Sequence, residues 1–278
     1  MPGEAKLRVL VCVKPVPDPE RYELLGIDPA TGRLIREGVP TVINPADKNA
    51  LETALGIKDG LGASVTVIGM APDFTRERIR ECLAMGADEA YLLSDPAFGG
   101  ADTYATSYAL AKGVEKLGFT PDLILAGSAS ADGATAHVPV QLAEWLKLPH
   151  VSNVSSVELE MPSEREGIDA RMHAIVLKKA ERRHIRYRVR LPAVISVERN
   201  ANSPRIVPAI GVVKSRSKKL EIWGREDLGI PASAVGYEAS PTKSGRLFMP
   251  DLRRNGTRVE GSPEEVAAAF AEILRKKL

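Results

Sequence analysis

Four short apolar runs separated by stretches of helical periodicity set the tightest limit on how this chain can fold. The runs cover residues 9–13, 65–70, 90–93 and 123–126, and between them lie helical patterns at 45–61, 76–85 and 102–117. Runs that are near-continuously Val, Ile and Leu, rather than alternating, describe strands buried on both faces. A parallel sheet with crossover helices on each side provides that burial. The pattern therefore predicts an α/β fold with a doubly wound, mostly parallel sheet. Pro45 suits a first helical position, and Asn44 is expected to cap that helix. Leu51, Ala54 and Leu55 supply its apolar stripe.

From Val151 to Val197 apolar and polar residues alternate, as in Val157 and Leu159 or Tyr187, Val189 and Leu191. This predicts antiparallel strands at the sheet edge, with 162–169 as a turn. Beyond Arg199 the core signal fades, and 203–219 is basic and proline-containing. Ser262, Pro263, Glu264 and Glu265 then read as a helix start with a capping box, followed by Val266, Phe270, Ile273 and Leu274 on one face. The chain thus divides into an α/β domain over 1–211 and an extended C-terminal arm over 212–278 that ends in a helix. The arm has too little apolar content for its own core. It either folds back on its domain or wraps a partner, and the pattern alone leaves both open.

A formal net charge of +2 over 278 residues gives no reason to expect nucleic acid or a membrane surface as partner. No apolar run approaches the ~20 residues of a membrane span. The N-terminal run reads as a first strand and not as a signal peptide. Cys12 and Cys82 stand far apart in apolar stretches, which excludes a disulfide framework and fits a cytoplasmic protein.

The strongest chemical signal is the strand, loop and helix over 123–146. The strand enters Gly127-Ser128-Ala129-Ser130-Ala131-Asp132-Gly133-Ala134-Thr135, and the pattern turns helical through Val138, Leu142, Ala143 and Leu146. Small residues allow close approach of a ligand. A helix N-terminus presents unpaired N–H groups and a partial positive charge, which suits a phosphate. Connections of this kind are ordinarily only a few residues long. Residues 12–17 and 44–47 occupy comparable positions. Phe98-Gly99-Gly100-Ala101-Asp102-Thr103 is a second glycine-rich helix entry, either a turn capped by Asp102 or a ligand contact. Standard dinucleotide and phosphate-loop fingerprints are absent, as is a G-x-S-x-G elbow. His137, His150, His173 and His184 lack metal-ligand spacing, so no metal site is expected. Cys12, set in an apolar strand, reads as a buried thiol and not a nucleophile. The arginines at 182, 183, 186, 188 and 190 form a solvated or interface strand face, without the aromatic platform of an RNA binder.

In order, these segments resemble the β subunit of electron-transfer flavoproteins. The resemblance rests on Val11-Cys12-Val13-Lys14-Pro15-Val16-Pro17-Asp18, Asn44-Pro45-Ala46-Asp47, Ala84-Met85-Gly86-Ala87-Asp88, Phe98-Gly99-Gly100-Ala101-Asp102-Thr103, Asp132-Gly133-Ala134-Thr135-Ala136 and Leu191-Pro192-Ala193-Val194. It implies a heterodimer with a larger α subunit that carries an electron-transferring FAD. It also implies a nucleotide in this subunit, AMP in some members and a second FAD in bifurcating ones. By position, the contacts implied are Cys12, Asn44, Asp47, Met70, Ala126, Gly127, Ser128, Ala129, Ser130, Asp132, Gly133, Ala134 and Thr135. Gly99, Gly100, Asp102, Thr103 and Thr106 join them in the FAD-holding branch, which the glycine-rich motifs favour over AMP. The arm would embrace the α subunit. Residues 197–211, with Arg199, Asn200, Ala201, Asn202 and Arg205, would dock an acyl-CoA dehydrogenase-like or other redox partner, with NADH as a candidate electron donor. The chain departs from the family pattern at several positions, among them Ala180-Glu181-Arg182-Arg183, where an acidic, glycine-containing stretch is usual. Ala201 stands where a leucine is usual, and Ala134 and Pro139 where Asp and Gly are expected. The competing reading is a stand-alone nucleotide-binding or hydrolysing module, for which Asp47, Asp102 and Asp132 are the available acids.

Overall fold

In a computed structural model of the chain, residues 6–27, 34–35, 38–161, 172–243, 245, 256 and 258–277 are described. In chain order the strands and helices are β1 (Arg8–Cys12), β2 (Pro15–Pro17), β3 (Gly26–Ile27), β4 (Leu34–Ile35), β5 (Thr41–Ile43), α1 (Pro45–Leu61), β6 (Ser64–Met70), α2 (Arg76–Met85), β7 (Glu89–Leu93), α3 (Thr103–Lys116), β8 (Leu123–Gly127), α4 (Val138–Leu146), β9 (His150–Glu160), β10 (His173–Ala180), β11 (Arg183–Arg190), β12 (Ala193–Val197), α5 (Ala209–Ser215), β13 (Leu220–Trp223), α6 (Gly236–Ala239) and α7 (Pro263–Lys277).

Nine strands form one sheet in the order β11-β10-β9-β12-β8-β1-β6-β7-β13. Pairing is parallel from β9 through to β13 and antiparallel only at β9-β10 and β10-β11. The sheet is therefore mostly parallel with antiparallel edge strands, as the sequence pattern predicts. Alternation along β1 explains the two layers. Val9 and Val11 face a core shared with Leu51 and Leu55 of α1 and with Ile79 and Leu83 of α2. Leu10 and Cys12 face the opposite core, with Ala109 and Leu110 of α3 and Leu142 of α4. Helices thus cover both faces, which is why the central strands carry no polar face.

β13 departs from the expectation that the core signal ends after Arg199. It pairs in parallel with β7, matching Leu220 to Ala90 and Trp223 to Leu93. Trp223, Leu228, Ile230 and Val235 bury into the second core, and Trp223 stacks on Tyr91 with ring centroids 4.3 Å apart. A four-residue edge strand with Ile222 exposed leaves too short a pattern to read. The turn expected at 162–169 lies outside the described residues.

The chain forms two compact units, one of residues 1–26 and 35–245 and one of 27–34 and 246–278. Within the second, α7 begins with the expected capping box. Ser262 N–H donates to Glu265 Oε2 at 2.8 Å, and Glu265 N–H donates to Ser262 Oγ at 3.3 Å. Among the described residues no helix is long and apolar enough to cross a membrane.

Candidate functional site

From β1 the chain next enters the sheet at β6 on one side, whereas β8 and β12 lie on the other. β1 and β8 therefore bracket the switch point of the sheet, where open α/β folds take ligands beyond the carboxyl ends of the strands. Cys12 ends β1 directly opposite Ala126 of β8. The polar residues picked out at 44, 47 and 126–132 gather there.

Asp47 ties the two strand ends together. Its Oδ2 accepts the Lys14 N–H at 2.7 Å, and its Oδ1 accepts the Gly127 N–H at 3.0 Å and Asn44 Nδ2 at 2.9 Å. Asn44 does not cap α1 with its side chain, contrary to expectation. Its amide turns to the loop instead, donating from Nδ2 to Ala129 O at 3.0 Å and accepting the Ala131 N–H on Oδ1 at 3.0 Å. The reason is burial. Asn44 is only 2% exposed, so its amide must satisfy both ends, and the loop backbone offers a matching donor and acceptor.

Burial pushes the Asp47 carboxyl up to about 7, against the hydrogen bonds from Asn44, Lys14 and Gly127 that pull it down. Cys12 is buried, and desolvation, reinforced by the neighbouring Asp47, pushes its thiol up to about 12. It is therefore a protonated packing residue at neutral pH, not a nucleophile.

Past Ala131 the loop is held differently. Lys14 Nζ donates to both carboxylate oxygens of Asp132, at 2.7 and 2.8 Å. Residues 133–137 are exposed, and Ala134 and Ala136 adopt left-handed backbone with φ of 49° and 58°. Non-glycine residues in that region cost about 1–3 kcal/mol each, and such strain collects at ligand clamps. A Cβ at Gly133 would meet only Ser130 Oγ, at 3.4 Å. Packing within the chain therefore does not require glycine there. Helix α4 follows without a side-chain cap, and one turn in, Gln141 Oε1 is buried without a hydrogen-bond partner. Exposed backbone, a spare acceptor and open space beside Gly133 fit a phosphate-bearing ligand with hydroxyl donors.

The remaining candidates also lie after the carboxyl ends of parallel strands but join other contacts. Met70 ends β6, half-buried. Asp102 caps α3, accepting the Ala105 N–H at 3.0 Å and the Thr242 N–H at 2.9 Å. Thr103 opens α3 and Thr106 N–H donates to Asp102 O. Gly100 has φ of 73°, and a Cβ there would sit 3.1 Å from the Tyr237 Cβ, while Tyr237 N–H donates to Gly99 O at 3.0 Å. The missing side chain at Gly100 thus admits Tyr237 of the chain's own segment at 236–242.

The segment after β12 is pinned to α1. Asn49 Nδ2 donates to Asn202 O at 2.7 Å, and Asn202 Nδ2 donates to Thr53 Oγ1 at 2.9 Å. Arg205 binds Glu52 through Nε and Nη2 and reaches Asp59 at 2.9 Å, and these carboxylates hold the guanidinium further in its charged form. Asn200 takes φ of 73° at the turn, Arg199 is exposed, and Ala201 packs against the first core. Two residues escape the sequence reading. Lys14 lies within the motif at 11–18, but a lone lysine after an apolar strand does not announce its ion pair with Asp132. Ile206 is 93% exposed, and in the short run Arg205-Ile206-Val207 between Pro204 and Pro208 it shows no periodicity.

A doubly wound sheet with a polar, glycine-rich switch point defines the general class. The comparisons define the family. The model of the electron transfer flavoprotein domain matches residues 31–228. The chain is 43% identical over 273 residues to caffeyl-CoA reductase-Etf complex subunit CarD of Acetobacterium woodii, covering 98% of this chain and 99% of that protein. It is 37% identical to an electron transfer flavoprotein subunit beta of Clostridium acetobutylicum, over 98% and 99% of the two chains. Protein FixA of Azorhizobium caulinodans is 34% identical over 98% and 95%. The chain belongs to the electron-transfer flavoprotein family, among its β subunits.

Proposed function

We propose that this chain is the β subunit of a heterodimeric electron-transfer flavoprotein, and that its own switch-point site holds FAD in preference to AMP. The observation that carries the reading is Gly133. The loop that follows β8 has glycine where nothing among the described residues requires it, between a polar network that fixes one end and two left-handed alanines. That space suits a diphosphate running close to the backbone. The glycine-rich motifs at 98–103 and 132–136, apart from Ala134, resemble those of the FAD-holding branch of the family.

A flavin, when bound, supplies the electron-transfer chemistry. The residues of the chain bind and orient it. Asn44 and Asp47 fix the loop at 127–131, and Gly133, Thr135 and the first turn of α4 present donors to the phosphates. With the thiol of Cys12 held protonated, no side chain here needs to act as nucleophile, acid or base. Electrons would pass from a donor such as NADH, through the FAD of an α subunit, to an acyl-CoA dehydrogenase-like or other redox partner. The relative CarD, a subunit of a caffeyl-CoA reductase-Etf complex, supports that type of assembly. The arm over 212–278 would reach the α subunit through its terminal part. α7 supports this, since Phe270, Ile273 and Leu274 on it are exposed.

The test is cofactor stoichiometry. Purified with its α subunit, denatured and analysed for released nucleotide, the complex is expected to yield two flavins and no AMP. One flavin with one AMP refutes the FAD assignment.

A further inference from the structure

Lys14 links the two halves of the switch-point site. Its backbone N–H is fixed on the buried Asp47, and its side chain crosses to the loop after β8, where Nζ meets both oxygens of Asp132. The two partners differ in exposure, 44% for the lysine side chain and 9% for the aspartate. The carboxylate is shielded, whereas the ammonium remains open to solvent on the side where the exposed, strained stretch 133–137 begins. An ammonium carries three donors, and Asp132 engages it through both oxygens at once. Solvent reaches the ammonium and screens its attraction to the carboxylate, so the pair holds the lysine in place without locking it.

We infer that Lys14 is the cation that receives the phosphate of the bound nucleotide, and that Asp132 positions its ammonium and competes with the phosphate for it. This rests on the nucleotide-site reading above. A phosphate lying along Gly133 is a stronger partner for the ammonium than a single carboxylate, because it carries more charge and more acceptor oxygens. Lys14 also enters the site on a strand end held by the sheet, so presenting it costs little reordering. The ion pair stands just before the left-handed Ala134 and Ala136. Transferring the lysine to a phosphate loosens its tie to Asp132 and lets that strained stretch settle on the ligand.

The test titrates AMP, FAD and, as a phosphate-free control, adenosine into the full-length chain, with thermal melting as a check on folding. Wild type is expected to prefer AMP to adenosine. K14Q should weaken AMP and FAD by roughly tenfold, the loss of one charge-assisted contact, leaving adenosine binding and melting unchanged. K14R should retain most of the affinity. D132N should tighten AMP by roughly threefold, since the competing carboxylate charge is removed. Equal AMP affinity in K14Q and wild type overturns the inference while leaving the nucleotide site intact. So does loss of AMP and adenosine together in K14Q. A D132N that weakens AMP, or leaves it unchanged, removes the competition. A wild-type chain that binds neither AMP nor FAD removes the nucleotide reading itself.

Discussion

The backbone N–H of Gly127 meets the carboxylate of Asp47 at 3.0 Å, and a Cβ on Gly127 would lie 2.2 Å from that same oxygen. The hydrogen bond therefore exists only because residue 127 is glycine. The next nearest atoms, Ala46 C and Asp47 N at 2.7 Å, are backbone of the first turn of α1 and cannot give way. G127A is expected to push α1 off the end of β8 and to lower stability by about 1–3 kcal/mol, the usual cost of overpacking a tight core. Urea denaturation reads this directly, and an unchanged midpoint contradicts the packing described.

Asp47 also gives the fold a pH dependence of defined sign. Burial raises its pKa from 3.8 to about 7 in the folded chain. The folded state then keeps a proton that the unfolded chain has already released. The stability this group contributes is present below pH 3.8 and is lost as pH rises through about 7. D47N cannot titrate. The stability of wild type relative to D47N should therefore fall across that window, with contributions from all other groups cancelling in the difference. Denaturation midpoints of both proteins at stepped pH measure it, and a flat difference would show that the carboxylate is ionised throughout.

How far the sequence reveals this structure depends on what each pattern reports. The central strands are legible because burial on both faces leaves them no polar positions. β13 is not, since four residues at an edge carry no period. In the site, Asn44, Asp47 and 126–132 converge as their small and polar composition suggests. At Gly100 the same composition serves close packing against Tyr237. Small residues signal close approach without saying to what. Asn44 shows the converse problem. A helix-start asparagine ordinarily caps, but a buried one satisfies whatever backbone surrounds it, and only the fold shows that this is the loop at 129–131.

The terminal helix offers a specific test of subunit pairing. Truncation after Gly211 would remove β13 and the buried Trp223, so loss of pairing in such a variant would report damage to the sheet. Phe270, Ile273 and Leu274 are 60%, 42% and 44% exposed, and serine at these positions costs the chain itself little. The combined F270S and I273S variant should keep its melting temperature and nucleotide but no longer co-elute with the α subunit in size-exclusion chromatography. Undiminished co-elution would mean that the α subunit is held elsewhere.

Ile206 carries the sharpest prediction about electron delivery. The segment leading to it is fixed before any partner arrives, by Asn202 on Asn49 and Thr53 and by Arg205 on Glu52 and Asp59. Ile206 then projects at 93% exposure, with Ile210 and Val213 at 60% and 65% a turn or two further on. A preorganised loop with an apolar tip loses little freedom on docking. Here the tip falls at Ile206, and the smaller Ala201 is packed against the core. Charge reversal at Arg205 would dismantle the anchor, so it would not separate docking from loop order. I206S leaves the anchor intact. Burying an isoleucine is worth about 1.5–3 kcal/mol, so electron transfer to an acyl-CoA dehydrogenase should slow by roughly tenfold or more at limiting partner. Bound flavin and melting temperature should not move. R199E, which alters an exposed charge beside the same loop, should give a smaller and salt-dependent decrease. Stopped-flow rates that stay unchanged in both variants would place the docking surface away from this loop.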